Sequence, residues 1–414
     1  MIDAAHAAGG RLTSLDVVRG IAVMGILLAN LPAFGLPEPA YFSPLAWGGT
    51  APADITAWFL NFVLVEGRMR GLFSLLFGAS MLLIVERARD RHESGAAAHF
   101  RRMAVLFAIG LAHLYLVWWG DILAHYALVG AFAFLFTRAA TPTLVLWGLI
   151  FLTFSAAVGL GGYMTMLASA ARDTPEAAAT WASFAQGFGV PPRADIVAEI
   201  AAMKGSWLDQ LRWRWENALD PFRFLKIGGL QTLATMLLGM AAFRSGLLTG
   251  SWERRRLARW AAVCLLVSWT AYALLGLSTM RSGFDQRAVF LASIVASEPF
   301  RVIGAIGYAA LMVLLARRGG WLTARIAAVG RAAFSNYLGT SLLVTFIFYG
   351  WGLGMFGELG RAQLYLLAPL VWALMLLWSK PWLDRFAYGP LEWAWRSLSR
   401  GRFQPMRRLE PKRA

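Results

Sequence analysis

Runs of apolar residues long enough to cross a lipid bilayer are the feature that most constrains this chain. A membrane-spanning helix needs about 20 mostly apolar residues. Of the 414 residues, 58% are hydrophobic and 15% are charged, which is more apolar surface than a soluble core of this length requires. The sequence therefore predicts an all-α fold, a polytopic bundle of membrane helices.

About ten apolar runs qualify as spans. The first is predicted to be a permanent span and not a cleaved signal peptide, because Asp16 and Arg19 lie near its start and no clear cleavage site follows. Residues 53–66 are predicted to form an additional amphipathic segment at the outer surface. The predicted spans are residues 15–35, 69–86, 103–119, 121–137, 143–168, 226–243, 260–279, 289–316, 329–350 and 363–379.

The basic residues between the spans predict the orientation. With the N-terminus inside, the inner connections and tail, from Arg11 onward, hold 24 Lys and Arg, against five in the short outer connections. This bias places both termini in the cytoplasm. The formal net charge of +16 is therefore attributed to topology, and no nucleic-acid partner is expected. The single cysteine, Cys264, supports no intramolecular disulfide.

The spans divide the chain into two halves. Residues 1–170 form a membrane half with five spans, and residues 226–396 form a second half with five. Residues 171–225 between them form an outer connector, in which Trp, Phe and Arg alternate as they do in helices of the headgroup layer; a solvated connector is the alternative. Residues 397–414 are a basic cytoplasmic tail. An odd number of spans per half gives the halves opposite orientations, as in some transporters.

Ionisable residues at membrane depth are costly and mark candidate sites. Asp16 and Arg19 are three residues apart, so they share a helix face near the cytoplasmic end of the first span. They are predicted to pair. The pair is either structural or part of a site for a charged headgroup or a nucleotide-bearing donor from the cytosol.

A second group of polar residues falls at the outer ends of the spans. An acid that orients an imidazole is a usual arrangement for a general base, and His125 follows Asp121 by one helical turn, so these two are predicted to hydrogen-bond. The alternative is that Asp121 caps a helix and the histidine is structural. No spacing typical of a metal site occurs. The members of this group are Asp54, Glu66, Arg68, Arg70, His113, Asp121 and His125.

The ninth span carries a polar stripe. Small and polar residues recur there at helical spacing, and Gly339 is predicted to admit a neighbouring helix. Packing through interhelical hydrogen bonds is one interpretation, and a polar cavity lined by Asn336 and Tyr337 is the other. The stripe consists of Ser335, Asn336, Tyr337, Thr340 and Ser341.

Five motifs occur in order over about residues 11–396: RLTSLDVVRGIAVMGILLAN, EGRMRGLFSLLFGASML, HLYLVWWGDILAHYALVG, GRAAFSNYLGTSLLVTFIFYGWGLGMFG and GPLEWAWRSL. Together they resemble the YeiB family of bacterial inner-membrane proteins. The resemblance implies a multi-pass protein of the bacterial inner (cytoplasmic) membrane, in contact with membrane lipids. No P-loop, Rossmann or nucleophile-elbow motif is present.

The block YFSPLAWGGTAPADITAWF is also distantly similar to heparan-alpha-glucosaminide N-acetyltransferase and related transmembrane acyltransferases. Trp47, Gly49 and Asp54 stand where that family has a Trp, a Gly and an Asp. This resemblance implies transfer of an acyl group from a cytosolic acyl-CoA donor to an acceptor across the membrane. The family's histidine shortly before the Trp is missing, because residues 43–46 are Ser, Pro, Leu and Ala. His113 and His125 are the candidate replacements.

Three functions are therefore expected in this order. The first is an acyltransferase-like enzyme with His125, Asp121 and His113 in catalysis. In it Asp16, Arg19, Asp54, Glu66, Arg68, Asn336 and Tyr337 are the residues predicted to bind substrate. The second is a transporter, or a protein that binds a lipid or small molecule, on a scaffold that has lost the catalytic histidine. The third is a partner-organising membrane protein that forms a homodimer through its glycine-rich late spans.

Overall fold

The computed structural model of the protein describes residues 13–407, so Arg11 and the end of the basic tail lie outside the described residues. The first half and the connector form nine helices in this range. They are α1 Thr13–Gly35, α2 Pro52–Leu64, α3 Arg68–Asp90, α4 Gly95–Leu116, α5 Leu123–Ala133, α6 Thr141–Ala170, α7 Pro175–Phe188, α8 Arg193–Lys204 and α9 Trp207–Asn217.

The second half is equally helical, and residues 13–407 contain no β-strand. Short 3₁₀ turns occur at Glu38–Tyr41 and Phe134–Phe136, and a π-helical turn occurs at Leu291–Ala296. The helices are α10 Pro221–Arg244, α11 Arg254–Arg281, α12 Gln286–Phe290, α13 Glu298–Ala316, α14 Trp321–Arg331, α15 Ala333–Phe348, α16 Arg361–Leu364, α17 Leu367–Arg385 and α18 Pro390–Arg400.

The predicted membrane bundle is confirmed. Among the described residues, eight helical stretches are long and apolar enough to cross a membrane. Two shorter apolar helices, at 123–136 and 333–348, occupy the predicted fourth and ninth spans. Each of the ten predicted spans is thus largely helical, although two of them are divided, and the protein is an all-α polytopic membrane protein.

Helix breaks are where the structure departs from the predicted spans. The span predicted at 289–316 is divided, because a π-helical turn precedes α13 and Pro299 lies in the first turn of α13. Proline has no N–H to donate, and its ring clashes with the preceding helical turn. The predicted span 329–350 is likewise divided between α14 and α15 at Ala332.

Side chains tie together the loops at each end of the bundle. At the end rich in Arg, Ser14 Oγ donates to the Leu248 carbonyl at 3.0 Å, and Trp395 Nε1 donates to the Arg102 carbonyl at 3.2 Å. We call this the basic end. At the opposite end, Trp47 Nε1 donates to the Gly357 carbonyl at 2.8 Å. The start of α1, the start of α4 and the loop after α10 therefore lie at the same end of the bundle, as the predicted topology requires.

Glycines allow α3 and α10 to cross closely. A Cβ added to Gly78 would collide with the Met236 carbonyl, and one added to Gly239 would collide with the Leu75 carbonyl. Small residues at a crossing let helix backbones approach inside a membrane. Gly339 does not do this: nothing lies within 4 Å of its Cβ position, so the predicted helix contact there is wrong within the described chain. A homodimer through this exposed face stays a prediction.

We expect Gly78→Val to destabilise the protein, because the new side chain meets backbone atoms that cannot rotate away. Overpacking of this kind costs roughly 1–3 kcal/mol or more. Gly339→Val is the matched control, since its side chain would point into open space. Thermal unfolding of the purified variants in detergent measures the difference. Equal melting temperatures for the two variants would contradict the close crossing of α3 and α10.

The connector is attached to the rest of the protein through a buried carboxyl group. Glu199 of α8 is buried and accepts hydrogen bonds from the backbone N–H of Glu38 at 3.0 and 3.1 Å. The pKa of Glu199 is raised from 4.5 to about 8, mainly by burial and also by the nearby Glu38 carboxyl. The backbone N–H of Glu38 acts in the opposite direction by favouring the charged form.

This raised pKa predicts a loss of stability with rising pH. Between about 4.5 and about 8 the folded protein keeps the Glu199 proton that the unfolded chain releases, so stability falls as pH rises through that window. Each pKa unit corresponds to about 1.4 kcal/mol. Glu199→Gln has no such proton, and its melting temperature should fall less between about pH 5 and about pH 9. Parallel falls in both proteins would refute the assignment.

Candidate functional site

A cavity of about 810 Å³ opens at the basic end of the bundle. Ligand sites in proteins are typically about 300–1,000 Å³. Its walls come from α1, α3, α4, the start of α5, the junction of α14 and α15, and α18. Along α3 and the residue that follows it, the lining runs from Phe73 to Arg91, about 27 Å at about 1.5 Å per residue. The lining is thus nearly as long as a hydrocarbon core of about 30 Å is thick.

The mouth of the cavity is strongly basic. Asp16, Asp90 and Glu392 supply carboxylates there, but arginines outnumber them. The predicted pairing of Asp16 with Arg19 is confirmed, with Arg19 Nη1 at 3.2 Å from Asp16 Oδ1. An excess of guanidinium groups favours an anionic ligand group. Among the described residues, six arginines line the cavity: Arg19, Arg87, Arg91, Arg102, Arg331 and Arg396.

Helix α18 lies across this mouth. The guanidinium of Arg102 stacks over the ring of Trp395 at 4.1 Å, a favourable cation–π contact. The carboxylate of Glu392 accepts from the backbone N–H groups of Phe334 at 2.7 Å and Ser335 at 3.1 Å. It therefore caps the start of α15, where a negative charge is favourable. The amphipathic helix near the C-terminus thus completes the cavity.

The far end of the cavity is apolar and closed by tyrosines. Phe73, Ile122 and Leu123 line it together with Tyr126 and Tyr337. The hydroxyl of Tyr126 lies 2.8 Å from Ser74 Oγ and donates to the Arg70 carbonyl at 3.1 Å. These bonds hold the Tyr126 ring in place.

A buried imidazole and carboxylate pair lies next to this end. His113 Nδ1 and Asp121 Oδ2 are 2.7 Å apart, and their side chains are 2% and 1% exposed. The ring of His113 lies 5.6 Å from the ring of Tyr337. Because a carboxylate accepts, Nδ1 carries a proton, and in the neutral imidazole Nε2 is the nitrogen with the lone pair. Nε2 has no hydrogen-bond partner in residues 13–407.

The predicted hydrogen bond between Asp121 and His125 is wrong. Asp121 Oδ1 accepts from the Ala124 N–H at 3.0 Å, so Asp121 caps α5 as the structural alternative predicted. Its other oxygen is engaged by His113, which reaches it across the turn from the end of α4. His125 bonds through Nε2 to Thr232 Oγ1 of α10 at 2.9 Å. The acid therefore orients the earlier of the two histidines.

Helix α9 of the connector fixes the end of α4 that carries His113. Arg214 is fully buried, and its Nε donates to the Tyr115 carbonyl at 2.7 Å. Trp207 Nε1 donates to the Leu116 carbonyl at 2.9 Å. The last carbonyls of a helix have no partner within the helix, so these bonds complete α4. The part of the connector around α9 is thus a structural cap for the site.

The other predicted residues at this end of the bundle lie outside the cavity lining. Asp54 Oδ1 accepts from the backbone N–H of Ala362 at 2.9 Å, and Glu66 accepts from the Tyr41 hydroxyl at 2.7 Å. Arg68 is fully buried, and its guanidinium stacks 3.7 Å from the centre of the Tyr272 ring. Their predicted roles in substrate binding stay predictions.

The polar stripe of the ninth span separates into two roles. Tyr337 lines the cavity. Asn336 instead donates to Ser379 Oγ at 3.1 Å and accepts from Trp378 Nε1 at 2.9 Å. It therefore joins α15 to α17, as the packing interpretation predicted.

Sequence reasoning missed most of the mouth. The sequence-based prediction uses Arg87, Arg91, Arg102 and Arg396 only as topology signals and gives His99 no role, although each of the five lines the cavity. The amphipathic pattern of residues 390–400 is the signal that could have indicated them. A helix with one apolar face must pack that face against something.

The comparisons with known proteins agree with the early resemblance. The family described as Protein of unknown function (DUF418) matches residues 242–402. YeiB of Escherichia coli (strain K12), described as an uncharacterized protein, is 31% identical over 407 residues, covering 94% of this chain and 96% of that protein. YxaH of Bacillus subtilis (strain 168), described likewise, is 30% identical over 414 residues, covering 96% of each.

A further relative is the uncharacterized 39.9 kDa protein in the amylase 3' region of Bacillus acidopullulyticus. It is 27% identical over 405 residues, which cover 96% of each chain. The matches include both membrane halves and the connector. Because this similarity extends over nearly the whole length, the chain belongs to the YeiB family.

Proposed function

We propose that the protein is an acyltransferase-like enzyme of the bacterial inner membrane. It would pass an acyl group from a cytosolic acyl-CoA donor to an acceptor in the envelope. One observation carries the proposal: a single cavity leads from a basic mouth to Tyr337, whose ring lies 5.6 Å from the paired imidazole of His113. The positive-inside rule orients the mouth toward the cytoplasm.

The arrangement supplies the parts that acyl transfer needs. The arginines of the mouth suit the phosphates of a nucleotide-bearing thioester. Asp121 orients His113 and would stabilise the imidazolium that forms when Nε2 takes a proton. The acceptor oxygen forms a bond to the thioester carbonyl carbon while its proton passes to Nε2. The carbon–sulfur bond then breaks, and the leaving thiolate takes that proton.

The residues shared with the acetyltransferase block have a structural explanation that fits the proposal. Trp47 and Asp54 bind the backbone of Gly357 and Ala362, which flank the start of α16. They hold the loops around the far end of the bundle together. A base from α4 would replace the histidine missing before Trp47.

Transport or ligand binding without turnover is the second candidate. It is favoured by the burial of His113, whose side chain is 2% exposed and is separate from the residues that line the cavity. Turnover requires the Tyr337 ring to move so that the carbonyl reaches Nε2. A binding protein requires no such movement.

Conservative changes in the pair test the enzyme proposal. Transfer of labelled acyl groups from acyl-CoA into lipid or glycan is measured with purified protein in nanodiscs that contain envelope lipids. A positioned general base contributes about 10²–10⁴-fold, so we expect His113→Gln and Asp121→Asn each to lose at least about 100-fold. Asp121→Asn keeps an oxygen that can cap α5.

The variant His125→Gln tests which of the two histidines acts as the base. Its bond to Thr232 places it away from Asp121, so its activity should stay within about threefold of the wild type. The reverse pattern, with His125→Gln inactive and His113→Gln active, would refute the assignment of the base. Saturable binding of acyl-CoA with no transfer in any protein would favour the second candidate.

A further inference from the structure

We infer that the cavity accepts a long-chain anionic amphiphile, with its head among the arginines of the mouth and its single acyl chain against the apolar wall beyond them. The identity of the donor rests on the proposed function: the donor would be a long-chain acyl thioester and not acetyl-CoA. The binding of an anionic amphiphile depends on the cavity alone.

The lining separates polar from apolar residues along the length of the cavity. On α3, Arg87, Asp90 and Arg91 line the mouth, while the lining residues from Phe73 to Ile84 are all apolar except Ser80. Arg19 donates to Ser80 Oγ at 3.1 Å, so this hydroxyl is satisfied close to the mouth. The deep part therefore presents an apolar surface to a ligand, which favours a hydrocarbon occupant.

The apolar part has the length of a lipid chain. Phe73 and Ile84 are eleven positions apart on one helix, a distance of about 16 Å at 1.5 Å per residue. Half of a hydrocarbon core of about 30 Å is about 15 Å, the depth that the chains of one leaflet fill. An acetyl group would leave most of this wall without contacts.

The side walls of the cavity can adjust to ligands of different width, whereas its far end is fixed. Met81 and Met103 line the cavity, and unbranched thioether side chains adjust to irregular ligands. A Cβ added to Gly130 would lie 2.8 Å from Phe77 and 2.9 Å from Met103 Sδ, so glycine there lets both lining residues pack outward. Tyr126, held by its bonds to Ser74 and the Arg70 carbonyl, sets the limit of chain length.

Binding of acetyl-, octanoyl- and palmitoyl-CoA to the full chain in nanodiscs tests the inference, with empty nanodiscs as the blank. Each buried methylene contributes favourably, so palmitoyl-CoA should bind at least about tenfold more tightly than acetyl-CoA. Palmitoyl lysophosphatidate serves as a probe with the same chain and a lipid head. Leu106→Trp should remove the preference for the longer chain, because Leu106 is buried in the lining.

Matched variants separate the two parts of the site. Arg87→Gln should weaken binding of every CoA ester, whereas Arg89→Gln should not, because Arg89 is exposed on α3 away from the cavity. Leu149→Trp on the exposed face of α6 is the control for Leu106→Trp.

Each outcome decides between the claims. Acetyl-CoA binding as tightly as palmitoyl-CoA would overturn the inference and leave acyl transfer standing. Binding of palmitoyl lysophosphatidate but of no CoA ester would support the amphiphile site and overturn the acyl-CoA donor. No saturable binding of any probe, or equal binding by Leu106→Trp, would overturn the inference.

Discussion

Helices that end inside or beside a bilayer leave main-chain carbonyls without partners, and arginines satisfy many of them in this protein. In lipid such groups cannot turn to water, so each must be paired within the protein. Arg214 bonds the end of α4, Arg244 bonds the Thr137 and Ala139 carbonyls after α5, and Arg361 bonds the Ala40 carbonyl. Buried arginines therefore help to hold a bundle of interrupted helices together.

The candidate site depends on one of these caps. Arg214 fixes the last turn of α4, the helix that carries His113, and Asp121 fixes the first turn of α5 while it orients His113. Stacking of Trp118 on Phe34 at 3.9 Å seats the connecting turn against α1. A buried imidazole is therefore held next to the far end of a cavity whose lining extends about 27 Å from Phe73 to Arg91.

Hydropathy and charge predicted the fold well, because a helix that crosses the bilayer needs about 20 mostly apolar residues. They predicted a helical segment at each of the ten apolar runs, and they predicted the pairing of Asp16 with Arg19. They missed the break before Glu298. They also paired Asp121 with His125, because a prediction from helical spacing does not include a contact across a turn. The cavity could not be predicted, because Arg102 and Arg396 meet only after distant helices pack.

The central claim is that the cavity opens to the cytoplasm through the basic mouth. Replacing Cys264 with Ser and introducing Ser80→Cys places a single thiol in the lining. Labelling with a membrane-impermeant thiol reagent should occur in inside-out vesicles and be absent in right-side-out vesicles. Labelling from the opposite side alone would contradict both the orientation of the protein and the opening of the cavity to the cytoplasm.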